Sequence, residues 1–385
     1  MDCDSANQWD RFRELMPVAK KWAYLDHSAV GPLPAPTRDA MAHWLVDATE
    51  NGDVNWLDWF RQVSQLRTRA AAMINADESE IALIPSTTTG INFVAEGYPW
   101  EDGDNVVVPG NEFPSNLFPW MHLQDRGVEV RQVAVEGGRV DPNRIDDACD
   151  ERTRIVTVSW VGFATGWRID VDQVCEIAHR HGALVMLDAI QGLGVYALDV
   201  QSTPVDFVSA DGHKWMLGPE GAGVCYIRRE HLDRLRPVGV GWNSVKSSFD
   251  FSNPMFELRD SAARYEGGTL NSAGFIGMSE SIQLLMDSGT GPAKSSVGDR
   301  VIAIAGYAIE QLKASGFDVI SPREQGHESG IVTFACADHD PEAVRTRCLE
   351  NGIVLSCRGG GIRVSPHAYV NHDDIDRLID TLRRM

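Results

Sequence analysis

The feature that most constrains the fold is a series of short apolar runs between residues 80 and 230, separated by amphipathic segments. Several runs are apolar at nearly every position, which is typical of strands buried on both faces of a sheet. The six predicted strands are NVVVPG (105–110), EVRQVAV (129–135), RIVTVSWV (154–161), ALVMLDA (183–189), VDFVSA (205–210) and VCYIRR (224–229). Strands and helices that alternate at this spacing form βαβ units, so an α/β fold with a mainly parallel sheet is predicted.

One of the amphipathic segments shows a clear helical period. The sequence DVDQVCEIAHRHG (170–182) places four residues on one helical face and ends at a glycine, which commonly stops a helix. The four residues are Val174, Ile177, Ala178 and His181. A helix is therefore predicted between the strands that begin near residues 154 and 183.

The pattern changes after about residue 290, where a smaller α+β unit is predicted. GIVTFACA (330–337), IVLSCR (353–358) and GIRVS (361–365) indicate strands, and the last apolar stripe, on Ile375, Leu378, Ile379 and Leu382, indicates a helix. The Gly/Ser-rich stretch at 287–298 is the predicted linker. We expect an N-terminal segment (1–22) that packs on the small domain, a large domain (23–275) and a small C-terminal domain (276–385).

Composition excludes several classes of protein. The 385 residues carry a formal net charge of -20, which disfavours nucleic acid and anionic membrane surfaces as partners. The start of the chain lacks the basic and apolar regions of a secretory signal, and no apolar run is long enough to span a bilayer, so a cytoplasmic location is expected. Seven scattered cysteines without a C-x-x-C pair indicate neither disulfides nor a metal site.

Four polar residues follow two of the predicted strands. Asp188 ends one strand with Gln191 in the turn after it, and His213 and Lys214 lie just beyond the next strand. Because active-site groups of parallel sheets gather at the carboxyl ends of strands, we expect these side chains to converge there. Alone, each has an ordinary explanation as a surface lysine, a cap or a turn residue. Their combination at this spacing predicts a cofactor site.

These residue types fit pyridoxal 5'-phosphate (PLP) chemistry. A lysine must lose its proton to form a Schiff base, and a desolvated pocket favours that loss. A buried carboxylate such as Asp188 would keep the pyridine nitrogen protonated, so that the ring works as an electron sink. We therefore expect Lys214 to carry the cofactor as a Schiff base, with Gln191 near the phenolic oxygen and His213 near the phosphate or the ring.

The segment IPSTTTGINFVAEG (84–97) could bind the phosphate of such a cofactor. Ser86, Thr87, Thr88 and Thr89 precede a helix-like run, where free backbone N–H groups, hydroxyls and the helix dipole favour an anion. Ordinary helix capping explains a threonine cluster equally well when the cluster is considered alone. Together with Lys214, the cluster predicts a phosphate site.

At these residues the sequence resembles the class V aminotransferase family of fold-type-I PLP enzymes, which includes cysteine desulfurases, selenocysteine lyases and isopenicillin-N-epimerase-like proteins. The resemblance implies a large PLP-binding domain with a mainly parallel, seven-stranded type of sheet and a smaller α+β domain. It rests on YLDHSAVGPLP (24–34), STTTGINFVAEG (86–97), NEFPSNLFPW (111–120), LDAIQGLG (187–194), SADGHKWMLGPEG (209–221), RYEGGTLN (264–271) and GIRVSPHAYVNHDDID (361–376).

The resemblance also implies roles for individual residues. Lys214 would be the catalytic Schiff-base lysine. The residues that would bind the cofactor are Thr87, Thr88, Phe113, Asp188, Gln191, His213 and Thr269. Thr269 would reach the phosphate of a neighbouring subunit, which implies a homodimer. Arg363 would hold the α-carboxylate of a small amino-acid substrate, with Arg358 as a rival and with His27 and Trp56 as further candidates for the substrate pocket.

Four positions depart from the family pattern. Phe113 stands where the family usually stacks a histidine on the ring, so acid–base help from that place would be lost. Trp160 replaces an asparagine that cysteine desulfurases tend to have near the phenolic oxygen. Cys357 lies in an apparent strand and not on a loop, which favours a buried free cysteine over a persulfide-forming one. Asp211 replaces a small hydroxyl residue near the phosphate, and we expect it to point elsewhere because like charges repel.

The reaction itself stays open at this stage. Abstraction of the Cα proton by Lys214 can lead to transamination or β-elimination, which we favour, or to epimerisation or desulfuration. A non-catalytic PLP-fold protein is the alternative from another class. GLGVYA (192–197) also matches a dinucleotide-binding fingerprint, but it lacks a convincing helix after it, so a nicotinamide enzyme is disfavoured.

Overall fold

The structure confirms an α/β fold built around a seven-stranded sheet. The computed structural model describes residues 3–336 and 339–385. Its strands are β1 (Ala23–Tyr24), β2 (Ile81–Ile84), β3 (Asn105–Pro109), β4 (Glu129–Val133), β5 (Thr153–Ser159), β6 (Leu184–Asp188), β7 (Phe207–Asp211), β8 (Gly223–Ile227), β9 (Val332–Phe334), β10 (Ile353–Val354), β11 (Ser356–Arg358) and β12 (Gly361–Val364).

Helices pack with the large sheet in two apolar clusters. They are α1 (Cys3–Glu14), α2 (Ala35–Asn51), α3 (Trp56–Ile74), α4 (Thr87–Gly97), α5 (Phe118–His122), α6 (Pro142–Ala148), α7 (Val171–Arg180), α8 (Ser272–Asp287), α9 (Ser296–Ala314), α10 (Pro341–Glu350) and α11 (His372–Arg383). Within the described residues, no helix combines the length and the apolar character needed to cross a lipid bilayer.

The large sheet is mainly parallel, as predicted. Its strand order is β2-β8-β7-β6-β5-β3-β4, and the five strands β3 to β7 are parallel to one another. β8 is antiparallel to both β7 and β2. The six predicted strands are present, but β2 was missed because a four-residue apolar run has no period that separates strand from helix. The carboxyl ends of β5, β6 and β7 meet at one edge, which positions the site described below.

Helix α7 forms where the sequence predicted a helix, but one of the four residues predicted for its buried face lies elsewhere. Val174, Ile177 and Ala178 are buried against the sheet, and Gly182 adopts a left-handed φ of 76° just beyond the helix. His181 is not on the buried face: it follows the last helical residue, and its Nε2 lies 2.7 Å from Asp146 Oδ1. A polar partner and partial exposure are available at that end of the helix, so the imidazole need not be buried.

The C-terminal part of the chain forms a second, smaller sheet in the order β11-β12-β9, and the short strand β1 pairs in parallel with β10. Arg13 of α1 donates to Asp374 of α11 at 2.6 Å. Helix α8 is continuous across the predicted domain boundary at residue 275. Residues 1, 2 and 337, which belong to the predicted N-terminal segment and to a predicted strand, lie outside the described residues. The three-part domain division remains our proposal.

Candidate active site

A cavity of about 300 Å³ opens at the carboxyl edge of the large sheet. Eight of the residues predicted to bind cofactor or substrate line it, although they come from separate strands and loops: Thr87, Thr88, Phe113, Asp188, Gln191, His213, Lys214 and Arg363. The convergence follows from the topology, because parallel strands present their final residues at the same edge. The cavity wall therefore combines a lysine, a carboxylate, an arginine and a helix N-terminus.

Lys214 presents a buried amine to this cavity. No described residue accepts a hydrogen bond from its Nζ, which lies 5.6 Å from the centre of the Phe113 ring. Burial lowers the pKa of this amine to about 8, although the nearby Asp188 carboxylate acts in the opposite direction. A partly deprotonated amine in a desolvated cavity is a competent nucleophile at near-neutral pH.

The backbone around Lys214 is held tightly. Gly31 donates its N–H to the His213 carbonyl at 2.6 Å, and a Cβ at Gly31 would lie only 2.2 Å from the Lys214 carbonyl oxygen. Three residues after the lysine, Leu217 adopts a left-handed φ of 55°, which is uncommon for a side chain branched at Cγ. Unusual backbone of this kind is maintained where the surroundings fix it, and here the Leu217 N–H donates to the Lys214 carbonyl at 3.2 Å.

Asp188 is a buried carboxylate that is only partly satisfied. Its Oδ1 accepts a hydrogen bond from the Ile190 N–H at 3.1 Å, while Oδ2 has no hydrogen-bond partner among the described residues. Burial raises the pKa of Asp188 to about 6, and the Lys214 charge partly offsets that effect. A cationic N–H placed in the cavity would satisfy the free oxygen and stabilise its charged form.

The amide of Gln191 is fixed from both ends. Its Nε2 donates to the Ser28 carbonyl at 2.9 Å, and its Oε1 accepts from Trp215 Nε1 at 2.8 Å. An amide nitrogen carries two hydrogens, so one N–H of Gln191 remains available to the cavity that the side chain lines. The predicted contact with a phenolic oxygen is compatible with this arrangement.

The predicted phosphate site lies at the start of α4. Ser86 caps this helix by accepting from the Thr89 N–H at 3.2 Å. The first N–H groups of the helix, at Thr87 and Thr88, have no partner within the helix, as at any helix start. Thr88 Oγ1 donates to Ser115 Oγ at 2.8 Å, which ties the helix start to the segment that carries Phe113. Free N–H groups at the positive end of a helix form an anion site.

Asp211 was expected to point away from this site, and that expectation is wrong. Its side chain lines the cavity, with Oδ2 at 3.0 Å from His213 Nδ1. Its backbone N–H donates to Thr87 Oγ1 at 2.9 Å, which holds the end of β7 against the start of α4. Asp211 is the last residue of β7, and the carboxyl end of this strand lies at the cavity.

Arg363 is held on the opposite part of the wall by three protein oxygens. Nη1 donates to the Phe163 carbonyl at 2.7 Å, Nε to Ser356 Oγ at 3.2 Å, and Nη2 lies 3.3 Å from Asp26 Oδ1. A guanidinium has five N–H donors, so two remain for a ligand. Burial raises the pKa of Asp26, and the Arg363 charge opposes that rise.

Arg358, the other candidate for binding the substrate carboxylate, lines the same cavity but is exposed. Its Nη1 donates a hydrogen bond to the carbonyl of Cys357. Phe163 was not predicted as a site residue. It lines the cavity and its ring contacts Phe113 edge-on at 5.3 Å between centres. A phenylalanine in a loop directly after β5 was the available signal for it.

Three residues predicted for the site, His27, Trp56 and Thr269, are not brought into this cavity. His27 is fully buried beneath it, with Nδ1 at 2.9 Å from the Ser365 carbonyl and Nε2 at 2.9 Å from the Tyr369 hydroxyl. Thr269 lines a different cavity, together with Trp56 and Trp242. Within one chain, the structure therefore engages both ring nitrogens of His27 in buried hydrogen bonds, and it separates Thr269 from the phosphate site.

Trp160 and Cys357 also lie outside the cavity. The Trp160 ring is buried against Gly192 in the turn after β6, and the backbone N–H of Trp160 donates to the Asp188 carbonyl at 2.9 Å. Cys357 Sγ donates to the Pro341 carbonyl at 3.3 Å, and burial raises the pKa of its thiol to about 11. None of the described cysteines lines the cavity.

Comparison with known proteins decides the family. The family described as Aminotransferase class-V matches residues 23–378, which is most of the chain. The chain belongs to the class V aminotransferase family. The resemblance noted from the sequence blocks is thereby confirmed, and so is the PLP-enzyme fold that it implied.

The chain is similar to proteins named as cysteine desulfurases and to solved cysteine desulfurase structures. A probable cysteine desulfurase of Methanothermobacter thermautotrophicus is 35% identical, with 97% of each chain covered. A cysteine desulfurase of Escherichia coli has a TM-score of 0.85 at 26% identity, with 97% of each chain covered. The apo structure of a cysteine desulfurase from Thermococcus onnurineus has a TM-score of 0.88 at 23% identity, covering 97% of this chain and 96% of the other.

The residues of this class V cavity fit PLP, the cofactor of the family. The unpaired amine of Lys214 matches its aldehyde, the free oxygen of Asp188 matches a ring N–H⁺, and the start of α4 matches its phosphate. The alternative dinucleotide site does not form, because residues 191–205 of the described chain are turns and irregular backbone with no helix after GLGVYA. Without a helix N-terminus the fingerprint has no means of binding a pyrophosphate.

Proposed function

We propose that this class V enzyme is a PLP-dependent lyase that removes the Cα proton of a small α-amino acid and expels its β-substituent, with sulfur as the leaving atom. The observation that carries the proposal is the unpaired, buried amine of Lys214 in one cavity with Asp188 and Arg363. The choice of sulfur is supported by the 35% identical relative, whose name is a probable cysteine desulfurase.

In this proposal Lys214 has two tasks. It holds the cofactor covalently, and its Nζ takes the proton from the substrate Cα, which a pKa lowered to about 8 makes possible near neutrality. When bound, PLP supplies an electron-accepting ring for the electrons left at Cα. Asp188 Oδ2 holds a proton at the ring nitrogen, and the start of α4 binds the phosphate.

Orientation of the substrate falls to Arg363. A planar guanidinium holds a carboxylate through two parallel hydrogen bonds, so it fixes which bond of Cα faces the ring and Lys214. Arg363 suits this role better than Arg358, because its side chain is only 3% exposed and already held by Asp26, Ser356 and Phe163. Side chains that are fixed before the ligand arrives lose little conformational entropy on binding.

Arg363→Lys is expected to lower kcat/KM by about 10- to 150-fold, the equivalent of one or two charge-assisted hydrogen bonds. Lysine keeps a positive charge beside Asp26, so the fold is preserved while the two-point contact with the carboxylate is lost. Steady-state kinetics measure the effect, with Arg358→Lys as the matched control, for which less than about threefold is expected. A larger loss in Arg358→Lys than in Arg363→Lys would exchange the roles of the two arginines.

The route by which sulfur leaves follows from the cavity wall. A desulfurase transfers sulfur to a cysteine of its own, which requires a reactive thiol at the substrate. The Cys357 thiol donates a hydrogen bond to the Pro341 carbonyl and lies outside the cavity, and burial raises its pKa to about 11. We therefore propose direct elimination, in which L-cysteine and water give pyruvate, ammonia and sulfide.

The products distinguish this route from its rivals. With L-cysteine we expect pyruvate and sulfide in equal amounts, at a rate that Cys357→Ala changes less than about twofold because the thiol makes no contact with the cavity. Desulfuration would instead give alanine with persulfide sulfur that a reductant must release, and transamination would need a 2-oxo acid. Alanine as the main product, lost in Cys357→Ala, would establish desulfuration and overturn the proposal.

We propose that the enzyme is a homodimer in which Thr269 serves the partner's phosphate site. Thr269 lies away from the phosphate site of its own chain, so such a contact requires a second subunit. The nearby segment also exposes large apolar side chains, among them Phe251 at 73%, Met255 at 60% and Phe256 at 76%. Exposed apolar surface of this kind marks interaction sites. Sedimentation equilibrium that returned a monomer would exclude the dimer.

A cytoplasmic location is part of the same proposal. The six cysteines whose side chains are described are all unpaired, which suits a reducing compartment. Recovery of the protein in the membrane or secreted fraction after cell fractionation would contradict it.

A further inference from the structure

Asp211 is a buried carboxylate in the cavity wall that its protein neighbours leave partly unsatisfied. The residue is 6% exposed, and its Oδ1 is buried without a hydrogen-bond partner among the described residues. Its Oδ2 lies 3.0 Å from His213 Nδ1, although the imidazole is not aligned to donate to it. Buried polar atoms of folded proteins almost always have a partner, and the Asp211 side chain lines the cavity, so its carboxylate is open to a donor on a ligand.

The position of this carboxylate is unusual because it adjoins an anion site. The Asp211 N–H donates to Thr87 Oγ1 at 2.9 Å, so the aspartate sits directly against the first turn of α4. That turn offers free N–H groups and the positive end of the helix dipole to a phosphate. A carboxylate and a fully ionised phosphate placed side by side in a buried site repel each other. A proton between them removes the repulsion and supplies the missing donor.

We propose that Asp211 makes this site select the singly protonated form of the cofactor phosphate, whose P–OH group donates to the Asp211 carboxylate. The inference rests on the proposed function only in that PLP binds in this cavity. A phosphate monoester loses its second proton with a pKa near 6, so the donor form is plentiful at pH 6 and scarce at pH 8. Binding above pH 6 is therefore coupled to the uptake of one proton.

Other charged groups face the same cavity and could shape the pH dependence. They are Asp188, His213, Lys214, Arg358 and Arg363. Asp211→Asn keeps the shape of the side chain and removes its charge, which also acts on Lys214 and on the adjacent His213. A ligand without a phosphate reports these indirect effects, so the difference between the two ligands isolates the contact of Asp211 with the phosphate.

The test measures binding of 4'-deoxypyridoxine 5'-phosphate to apoprotein by calorimetry, because this analogue has no aldehyde and cannot attach to Lys214. Between pH 6 and pH 8 the singly protonated fraction of the phosphate falls about 50-fold. The affinity of wild type is therefore expected to fall about 50-fold more than the affinity of Asp211→Asn. In buffers of different ionisation enthalpy at pH 8, wild type takes up about one more proton per ligand than the variant. Asp211→Ser is expected to behave as Asp211→Asn does.

Controls separate this inference from the proposed function. 4'-Deoxypyridoxine, which lacks the phosphate, is expected to bind wild type and Asp211→Asn alike at both pH values. Equal proton uptake by the two proteins, or weaker binding of the phosphate analogue to Asp211→Asn at pH 8, would overturn the role of Asp211 while leaving a PLP enzyme. Failure of wild type to bind PLP or either analogue at any pH would instead refute the proposed function.

Discussion

Lys214→Ala is expected to lower kcat for sulfide release by about 10²- to 10⁴-fold, the range for loss of a positioned general base, and to abolish covalent attachment of the cofactor. The structure offers no substitute, because Lys214 is the one lysine among the described residues that line the cavity. Added ethylamine, a small external base, is expected to restore part of the rate, since the cavity is preserved and only the amine is missing.

The same amine predicts a pH dependence. The nucleophile is the unprotonated form, and burial lowers the pKa of Lys214 to about 8. The rate at which PLP becomes attached to apoprotein should therefore rise as the pH is raised through about 8 and level off above it. Lys313→Ala, which removes an exposed lysine at the end of α9, is the matched control and should attach PLP normally. Full activity in Lys214→Ala would refute the mechanism.

Asp188→Asn is expected to lower kcat by about 10²- to 10³-fold, the usual loss when one preorganised charge at a reaction centre is removed. Asparagine keeps the size of the side chain and can still accept from Ile190, so the fold should be unchanged. It cannot hold a proton at the ring nitrogen, and without that positive charge the ring is a poor electron acceptor. Steady-state kinetics with L-cysteine measure the loss.

A modified cofactor separates this electronic role from simple packing. PLP methylated on the ring nitrogen carries a permanent positive charge. It should therefore raise the rate of Asp188→Ala at least tenfold above the rate of the same variant with ordinary PLP. The shorter side chain of this variant leaves room for the methyl group. Wild-type protein should bind the methylated cofactor poorly, because Asp188 occupies that space. No recovery in Asp188→Ala, with the cofactor bound, would show that Asp188 acts only as a structural residue.

The large sheet and most of the site could be predicted because they depend on local sequence. Apolar runs identify buried strands, and the order of those strands puts Asp188 and Lys214 at one edge whatever the details of packing. Threonines before a helix and a glycine-rich turn after a lysine likewise depend on neighbours in the chain. These features are present where the sequence indicated them.

The failures concern features that depend on tertiary contacts. The strand β2 is too short to show a period, and its identity follows only from pairing with β8. His27 resembled a pocket residue but is buried because Ser365 and Tyr369, more than 330 residues away, satisfy both ring nitrogens. Asp211 was expected to turn away from a phosphate because like charges repel, but its place in the cavity wall depends on the packing of β7 against the start of α4, which the local sequence does not encode.

The central claim is that Lys214 carries the cofactor, and one measurement tests it directly. Holoenzyme is treated with borohydride, which fixes a Schiff base as a stable amine, and is then digested and sequenced by mass spectrometry. We predict a single pyridoxyl-modified peptide, with the modification on Lys214. A pyridoxyl group on any other lysine, or none on protein that turns over substrate, would contradict the account.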